Sequence, residues 1–166
     1  EKFDLQAKMD STGVTAVRIT LEEDGARAIY NQALKVVESI FHDVRMGQIP
    51  TSESALDASR EMVESSLAEP YALFSMSLLK DYDNYTFTHS VNVSVIAVTV
   101  GRACGVSEEE LNILSLGGML HDVGKMTIDH GIITKPGKLS EDEFDQMRLH
   151  PTNGAEIVSK MSHVSN

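Results

Sequence analysis

From residue 21 onward, apolar side chains recur at steps of three and four residues, the spacing that places them on one face of a helix. Gly47 follows the first such segment, residues 21–46, and is typical of the residue that ends a helix. The apolar positions in this segment are Ile29, Ala33, Val36, Val37, Ile40, Phe41 and Val44. Because the pattern continues along most of the 166 residues, the chain is predicted to be all-α.

Further helices are predicted from the same spacing and from turn residues. Two of them begin at Ser-x-x-Glu capping boxes, in which serine and glutamate each bond the other's backbone N–H. His150 is predicted to end the second of these, because the residue before a proline is driven out of the helical conformation. The predicted ranges are 53–68, 71–79, 85–104, 107 to about 122 and 140–149, with a loop over 126–139 and a last helix beginning at Asn153.

The first 20 residues follow a different pattern. Val17, Ile19 and Leu21 alternate with Arg18 and Thr20, and a period of two indicates a strand. We therefore expect residues 1–20 to be a strand-like tail that belongs to a preceding segment or domain.

The charge balance restricts the classes of partner. With 14 Lys and Arg against 25 Asp and Glu, the net charge is −11, and such a field repels nucleic acids and anionic membrane surfaces. A phosphate ligand would need local cations, for which a bound metal is the obvious source. The longest stretch without a charged residue, Asn84–Gly101, carries Asn, Thr, Ser and His throughout. It therefore predicts a buried core helix and no membrane span.

Cys104 is the only cysteine. A single thiol excludes an internal disulfide and zinc sites of the CxxC type, and it points to a reducing, cytoplasmic compartment. Because Cys104 lies in an apolar helical stretch, it is predicted to be a buried, inert thiol.

Histidines occur near the ends of three separate predicted helices. His89 lies one turn into the fourth helix, His121 and Asp122 close the fifth, and His150 closes the sixth. Three imidazoles and a carboxylate suit Fe, Mn or Zn. Asp122 could bridge two such ions, and a bridged water loses a proton readily to give a hydroxide nucleophile. If the fifth helix continues, Lys125 lies on the same face as His121 and could contact a phosphate oxygen.

Each of these residues also has a simpler interpretation. The same dipeptide occurs at His42-Asp43, inside an amphipathic helix, where a surface position is expected. Alone, His89 would be a core histidine and His150 a helix cap. His130 and His163 are predicted to be solvated. Spacing by itself leaves the metal site and these alternatives about equally supported.

Four motifs, in the order in which they occur along the chain, resemble those of the HD-GYP domain, a branch of the HD superfamily of metal-dependent phosphohydrolases. The resemblance covers about residues 21–160. The motifs are Tyr85-Thr-Phe-Thr-His89-Ser-Val-Asn-Val, Leu120-His-Asp-Val-Gly-Lys125, Lys135-Pro-Gly-Lys-Leu139 and His150-Pro-x-x-Gly154. The resemblance implies an HD-domain helical bundle. The chain would then have three parts: the tail over 1–20, helices over 21–84 that lead into the catalytic domain, and the first part of the metal-binding domain over 85–166.

The resemblance also implies an activity and a ligand set. The family hydrolyses cyclic di-GMP to linear pGpG or GMP, by attack of a metal-bridged hydroxide on phosphorus, and some members prefer cyclic GMP-AMP. By position, His89, His121 and Asp122 would bind one divalent metal, and Asp122 would bridge to a second that His150 also holds. Fe or Mn is favoured over Zn. Lys125 would face the substrate phosphate.

The turn that carries Lys135 and Lys138 has two interpretations: its lysines contact the substrate, or it is a plain solvated turn. The expected partner is a cyclic dinucleotide, without DNA, RNA or membrane. A homodimer or a second signalling domain is a further expected partner.

The sequence departs from the family pattern in two places. Tyr85 stands where some members carry a glutamate that recruits a third metal, which favours a two-metal site. The His-His pair, a further Asp and the Gly-Tyr-Pro motif do not occur before Asn166. With four ligand residues for two metals, we expect weak metal retention and little or no activity from this chain alone. The alternatives are a degenerate HD signalling module without catalysis and an HD hydrolase of other nucleotides.

Overall fold

The structure, a computed structural model, describes residues 4–9, 15–20, 23–69, 71–78, 85–162 and 164, with the strands and residues 23–24 described by their backbone. A β-hairpin is followed by a bundle of helices. The elements are β1 (Asp4–Met9), β2 (Thr15–Thr20), α1 (Glu23–Arg45), α2 (Glu53–Ala68), α3 (Ala72–Ser77), α4 (Tyr85–Ala103), α5 (Glu108–Leu120), a 3-10 helix (Val123–Thr127), α6 (His130–Ile133), α7 (Glu141–Met147) and α8 (His150–Lys160).

The all-α prediction is confirmed, and so is the strand-like character of the N-terminal tail. β1 and β2 pair antiparallel, with Asp4 opposite Thr20 and Met9 opposite Thr15. Leu21, the last apolar position of the predicted strand, lies outside the described residues. Gly47 has a φ of +74° directly after α1, which is the left-handed conformation expected of a residue that ends a helix.

One face of α1 forms the centre of the core. Val37 and Phe41 are completely buried there, and they share a cluster with Met62 of α2, Val91 of α4 and Met119 of α5. Helices α3 and α8 contribute to the same cluster. Helix α1 therefore packs directly against α4, which carries His89, and against the 3-10 helix that follows Asp122.

Helices α4 and α5 cross at very close range. A methyl group added at Gly118 would lie 2.5 Å from the Ser94 Cα, so only a residue without a side chain fits at this point. Beside it, the Ser94 hydroxyl donates to the Ser115 backbone carbonyl at 2.8 Å. The crossing places the first turns of α4 next to the last turn of α5, and so brings His89 close to His121.

Gly117 and Gly118 provide a matched test of this crossing. Gly118→Ala is expected to lower the free energy of unfolding by about 1–3 kcal/mol, because the new methyl group meets the α4 backbone. Gly117→Ala is expected to raise it by about 0.5–1 kcal/mol, since alanine favours a helix over glycine and nothing lies within 4 Å of its new Cβ. Urea denaturation of the two variants measures both values. Equal effects would contradict the close crossing.

Several predicted details are wrong. The segment 126–139 contains the end of the 3-10 helix and all of α6. His150 begins α8, because Pro151 sits in the first turn, where its missing N–H would have no helical partner. Cys104 is exposed, because it follows the last residue of α4 and lies outside its packed face. Helix α4, in contrast, is buried or half-buried at most of its residues, as predicted, and the exposed Ile96 and Val100 lie four residues apart on one face.

Candidate metal centre

Asp122 lies at the centre of the candidate site. It directly precedes the 3-10 helix, and only 3% of its surface is exposed. The 3-10 turn brings Lys125 back toward it, so that the Lys125 Nζ donates to the Asp122 Oδ2 at 2.7 Å. The condition for Lys125 to share a helical face with His121, a continued fifth helix, is not met, because α5 ends at Leu120 and a 3-10 helix follows.

Three histidines from different elements surround the Asp122 carboxylate. The Nε2 atoms of His89 and His121 lie 3.8 Å and 3.2 Å from its Oδ2. The Nε2 of His150 lies 3.6 Å from its Oδ1. The two carboxylate oxygens therefore face different partners, and the ligand atoms of His89, His121 and Asp122 all lie within 4.8 Å of one another.

The other ring nitrogen of two of these histidines is fixed by the backbone. The His121 Nδ1 lies 2.8 Å from the Gly118 carbonyl oxygen, and the His150 Nδ1 lies 2.7 Å from that of Met147. A carbonyl oxygen only accepts hydrogen bonds, so each Nδ1 carries the hydrogen. In the neutral ring, each Nε2 then turns a lone pair toward Asp122. Two acceptors facing each other repel unless a proton or a metal ion lies between them.

The distances fit a shared metal ion. First-row ions bind histidine nitrogen and carboxylate oxygen at about 2.0–2.2 Å, so two ligands of one ion lie about 2.8–3.6 Å apart at octahedral or tetrahedral angles. The separation of 3.2 Å between the His121 Nε2 and the Asp122 Oδ2 falls in this range. The separation of 3.6 Å between the His150 Nε2 and the Asp122 Oδ1 lies at its upper limit, and that of 3.8 Å between the His89 Nε2 and the Asp122 Oδ2 lies slightly above it. The donor set and its spacing therefore fit divalent metal binding.

A glycine holds the 3-10 helix against α8. A Cβ added at Gly124 would lie 2.0 Å from the His150 carbonyl oxygen and 2.5 Å from the Gly154 nitrogen. The Asn153 Nδ2 also donates to the Thr127 Oγ1 at 2.7 Å. These contacts fix His150 relative to Asp122. Asn153 and Thr127 were not predicted from the sequence, where the signal for the contact between the 3-10 helix and α8 is the glycine in each of the two motifs, Gly124 and Gly154.

An aromatic ring stacks on His89. Tyr85 lies one turn earlier on α4, and the two ring centroids are 5.9 Å apart with an interplanar angle of 8°. The His89 ring also meets the edge of the His121 ring, with centroids 5.2 Å apart. His89 is therefore oriented by ring contacts, whereas His121 and His150 are oriented by backbone carbonyls.

The two lysines of the predicted turn lie in different surroundings. Lys135 donates to both carboxylate oxygens of Glu143, at 2.7 Å and 2.5 Å. The hydrogen bonds from Lys135 and then from the Ser140 backbone N–H hold the pKa of Glu143 below its usual range. Lys138 is exposed. Lys135 is therefore already paired with Glu143, near the start of α7, whereas the sequence predicted either a substrate contact or a solvated lysine.

The remaining histidines are not part of the cluster that the described residues form. His42 and His130 are exposed, and His163 lies outside the described residues. The second His-Asp dipeptide, His42-Asp43, is part of α1. Of the two His-Asp dipeptides, the structure brings only His121-Asp122 together with further histidines.

The arrangement of a His-Asp pair at a helix end, with histidines from two other helices, defines an HD-type site. The HD domain family model matches residues 86–166. The chain is 37% identical, over 92% of its length, to a cyclic di-GMP phosphodiesterase of Pseudomonas aeruginosa, and 36% identical, over 64% of its length, to the cyclic di-GMP phosphodiesterase response regulator RpfG of Xanthomonas campestris. A 3′3′-cGAMP-specific phosphodiesterase of Vibrio cholerae matches 47% of the chain at 33% identity.

Residues 86–166 therefore belong to the HD domain family, and the similarity of the chain to cyclic di-GMP phosphodiesterases supports its resemblance to the HD-GYP branch. The chain spans 37%, 28% and 17% of the lengths of these three relatives. No solved structure matches it. Within the described residues, no helix combines the length and the apolar character needed to cross a membrane.

Proposed function

We propose that this chain carries the metal-binding part of a phosphodiesterase that hydrolyses cyclic di-GMP. The observation that carries the proposal is the set of imidazole Nε2 atoms directed at one buried carboxylate, two of them with Nδ1 bound to a carbonyl. The names of the relatives support the substrate class, because they include phosphodiesterases of cyclic di-GMP and of 3′3′-cGAMP. Linear pGpG or GMP is the product that we propose.

We assign the ligands from the two sides of the carboxylate. His89, His121 and the Asp122 Oδ2 would hold one divalent ion, and His150 with the Asp122 Oδ1 would hold a second. Nitrogen and oxygen ligands without sulfur suit Fe, Mn or Zn, and the resemblance to the HD-GYP family favours Fe or Mn. Divalent ions held there supply positive charge that polarises a phosphoryl group and favours the ionisation of water.

The chain's own residues position the substrate. Asp122 orients the histidines and neutralises part of the positive charge. Lys125, which now donates to the Asp122 Oδ2, is the nearest cation for a phosphate oxygen and would stabilise the negative charge that accumulates there. Lys138 stays a proposal for a second phosphate contact. Because Lys135 already bonds Glu143, we propose that it orders the turn before α7. The domain boundaries at residues 20 and 84 remain predictions.

A signalling module without catalysis is the second candidate function. The observation that favours it is the exposure of Ile96 and Val100 on α4 and of Ile113 on α5, since apolar side chains of this kind are common where proteins dock. Such a module would need no metal. Metal content therefore separates the two functions.

Metal retention tests the proposed function. Because four residues provide the ligands of two ions, the chain is expected to bind Fe²⁺ or Mn²⁺ weakly but measurably under anaerobic conditions, whereas His121→Ala is expected to bind much less, because one ligand is removed. Equilibrium dialysis followed by mass spectrometry of the elements measures both. His42→Ala, the histidine of the other His-Asp dipeptide, is the matched control and should retain metal as the wild type does.

Two outcomes would contradict this function. A wild-type chain that stays metal-free with normal thermal stability would support the module without catalysis. If the whole protein hydrolysed guanosine tetraphosphate but neither cyclic di-GMP nor cyclic GMP-AMP, the substrate class would be wrong, and the chain would be an HD hydrolase of other nucleotides.

A further inference from the structure

We infer that Tyr85 is a specificity-determining residue that stacks on a purine base of the substrate. This inference rests on the proposed function, because it names a contact of the same site. Its basis is the position of an exposed aromatic ring directly beside a candidate metal ligand. Tyr85 is 72% exposed, although its ring lies parallel to the His89 ring.

The geometry forms a continuous path from the carboxylate to the Tyr85 ring. The His89 Nε2 lies 3.8 Å from the Asp122 Oδ2, and the Tyr85 ring lies parallel to the same imidazole with the ring centroids 5.9 Å apart. Because Tyr85 is 72% exposed, most of its ring is accessible to a ligand. A ligand whose phosphate binds the proposed metal ions beside Asp122 and which extends past His89 meets Tyr85 as the next surface.

A cyclic dinucleotide has the chemistry to use this surface. It carries two bases, each separated from the phosphates by a ribose. A phosphate can therefore lie at the proposed metal ions while one base lies at Tyr85. Every base presents a flat π-face, and stacking on an aromatic side chain is a substantial part of nucleotide binding. Purines offer a larger face than pyrimidines. Tyr85 would therefore favour guanine or adenine over uracil and would add affinity without taking part in the reaction.

An apolar groove offers the base a different place. The groove has a volume of about 320 Å³ and lies beside His121, between Leu116 and Leu120 of α5 and Val158 of α8. A base bound in this groove would lie next to His121 and leave Tyr85 uncovered. A probe placed at residue 85 distinguishes these two positions.

Fluorescence gives a direct test, because the chain contains no tryptophan. Tyr85→Trp provides a single fluorophore at the proposed stacking position. Tyr71→Trp is the matched control, since Tyr71 at the start of α3 is exposed to a similar degree, 60%. Cyclic di-GMP is expected to quench the emission of Tyr85→Trp strongly and cyclic di-UMP more weakly, with no change for Tyr71→Trp. Equal responses of the two variants would overturn the inference, and so would a Tyr85→Trp protein that binds cyclic di-GMP without quenching.

Affinity provides a second measurement that does not depend on a new fluorophore. Tyr85→Ala is expected to bind cyclic di-GMP about tenfold more weakly by calorimetry, whereas Tyr85→Phe keeps the ring and is expected to stay within about twofold of the wild type. Metal content should be unchanged in both. A Tyr85→Ala protein with wild-type affinity would refute the stacking role, and a loss of metal would show that the ring merely supports His89.

The two proposals fail in different ways. If cyclic di-GMP binds the metal-loaded protein and quenches the emission of Tyr85→Trp, but the whole protein does not hydrolyse cyclic di-GMP, the stacking contact is supported and the catalytic function is wrong. If the whole protein hydrolyses cyclic di-GMP while Tyr85→Ala binds it as the wild type does, the catalytic function is supported and the stacking contact is wrong.

Discussion

Asp122→Asn is expected to remove metal binding almost completely. The amide keeps the size of the carboxylate but loses its charge, and both of its terminal atoms face histidine nitrogens, so the change affects both proposed metal positions together. Loss of groups that merely support a ligand weakens metal affinity 10- to 100-fold, so loss of the shared ligand should exceed about 100-fold. Titration with Mn²⁺, followed by calorimetry, measures the change. Hydrolysis of cyclic di-GMP by the whole protein should fall with it.

Asp43→Asn is the control that the chain itself offers. Asp43 follows a histidine exactly as Asp122 does, but it belongs to α1. We expect its substitution to leave metal affinity within about twofold of the wild type, since no ligand role is proposed for it. If both substitutions weakened Mn²⁺ binding to the same extent, binding would reflect the general negative charge of the chain, and the site assigned to Asp122 would be wrong.

Gly124→Ala is expected to have the largest effect on stability. Its new methyl group would overlap the His150 carbonyl oxygen at 2.0 Å and the Gly154 nitrogen at 2.5 Å. Both obstacles are backbone atoms, so α8 has to move away from the 3-10 helix. We expect a loss of about 3 kcal/mol in the free energy of unfolding, the upper end of the usual cost of overpacking. Urea denaturation measures this loss.

The same substitution should weaken metal binding, because a shift of α8 carries His150 away from the Asp122 Oδ1. Gly25→Ala is its control, since Gly25 lies in α1 with nothing within 4 Å of an added Cβ; it should stay within about 1 kcal/mol of the wild type. A Gly124→Ala protein with wild-type stability and wild-type Mn²⁺ affinity would show that the close contact with α8 is dispensable.

The helices were predictable because their signals are local. Periodic apolar residues and the two capping boxes depend on positions three and four apart, and both boxes form as predicted at Ser107 and Ser140. The errors occur where one local rule has two outcomes. A proline predicts the end of the preceding helix, although it equally suits the first turn of a new one, as Pro151 does here. The apolar neighbours of Cys104 predict a core position, yet Cys104 lies just beyond the packed turns of α4 and is exposed.

The site was predictable only in part. The motifs identified His89, His121, Asp122 and His150 as candidates, but their approach to one carboxylate depends on helix crossings that no local pattern encodes. The close contact of Gly118 with Ser94 is one such crossing. The sequence also did not predict which side chains pair with each other. Lys135 bonds Glu143, eight residues away, and Asn153 bonds Thr127, 26 residues away. Such pairs depend on the three-dimensional path of the chain.

The ion pair between Lys125 and Asp122 bears on how the protein reaches its folded state. A buried carboxylate without a counter-charge is costly, and in many small metal-binding domains that cost makes the cation a condition of folding. Here an ammonium group encoded three residues away already supplies the opposite charge. The polypeptide thus carries its own counterion for the site. We therefore expect the chain to fold without a divalent ion, and an incoming ion to compete with Lys125 for the Asp122 carboxylate.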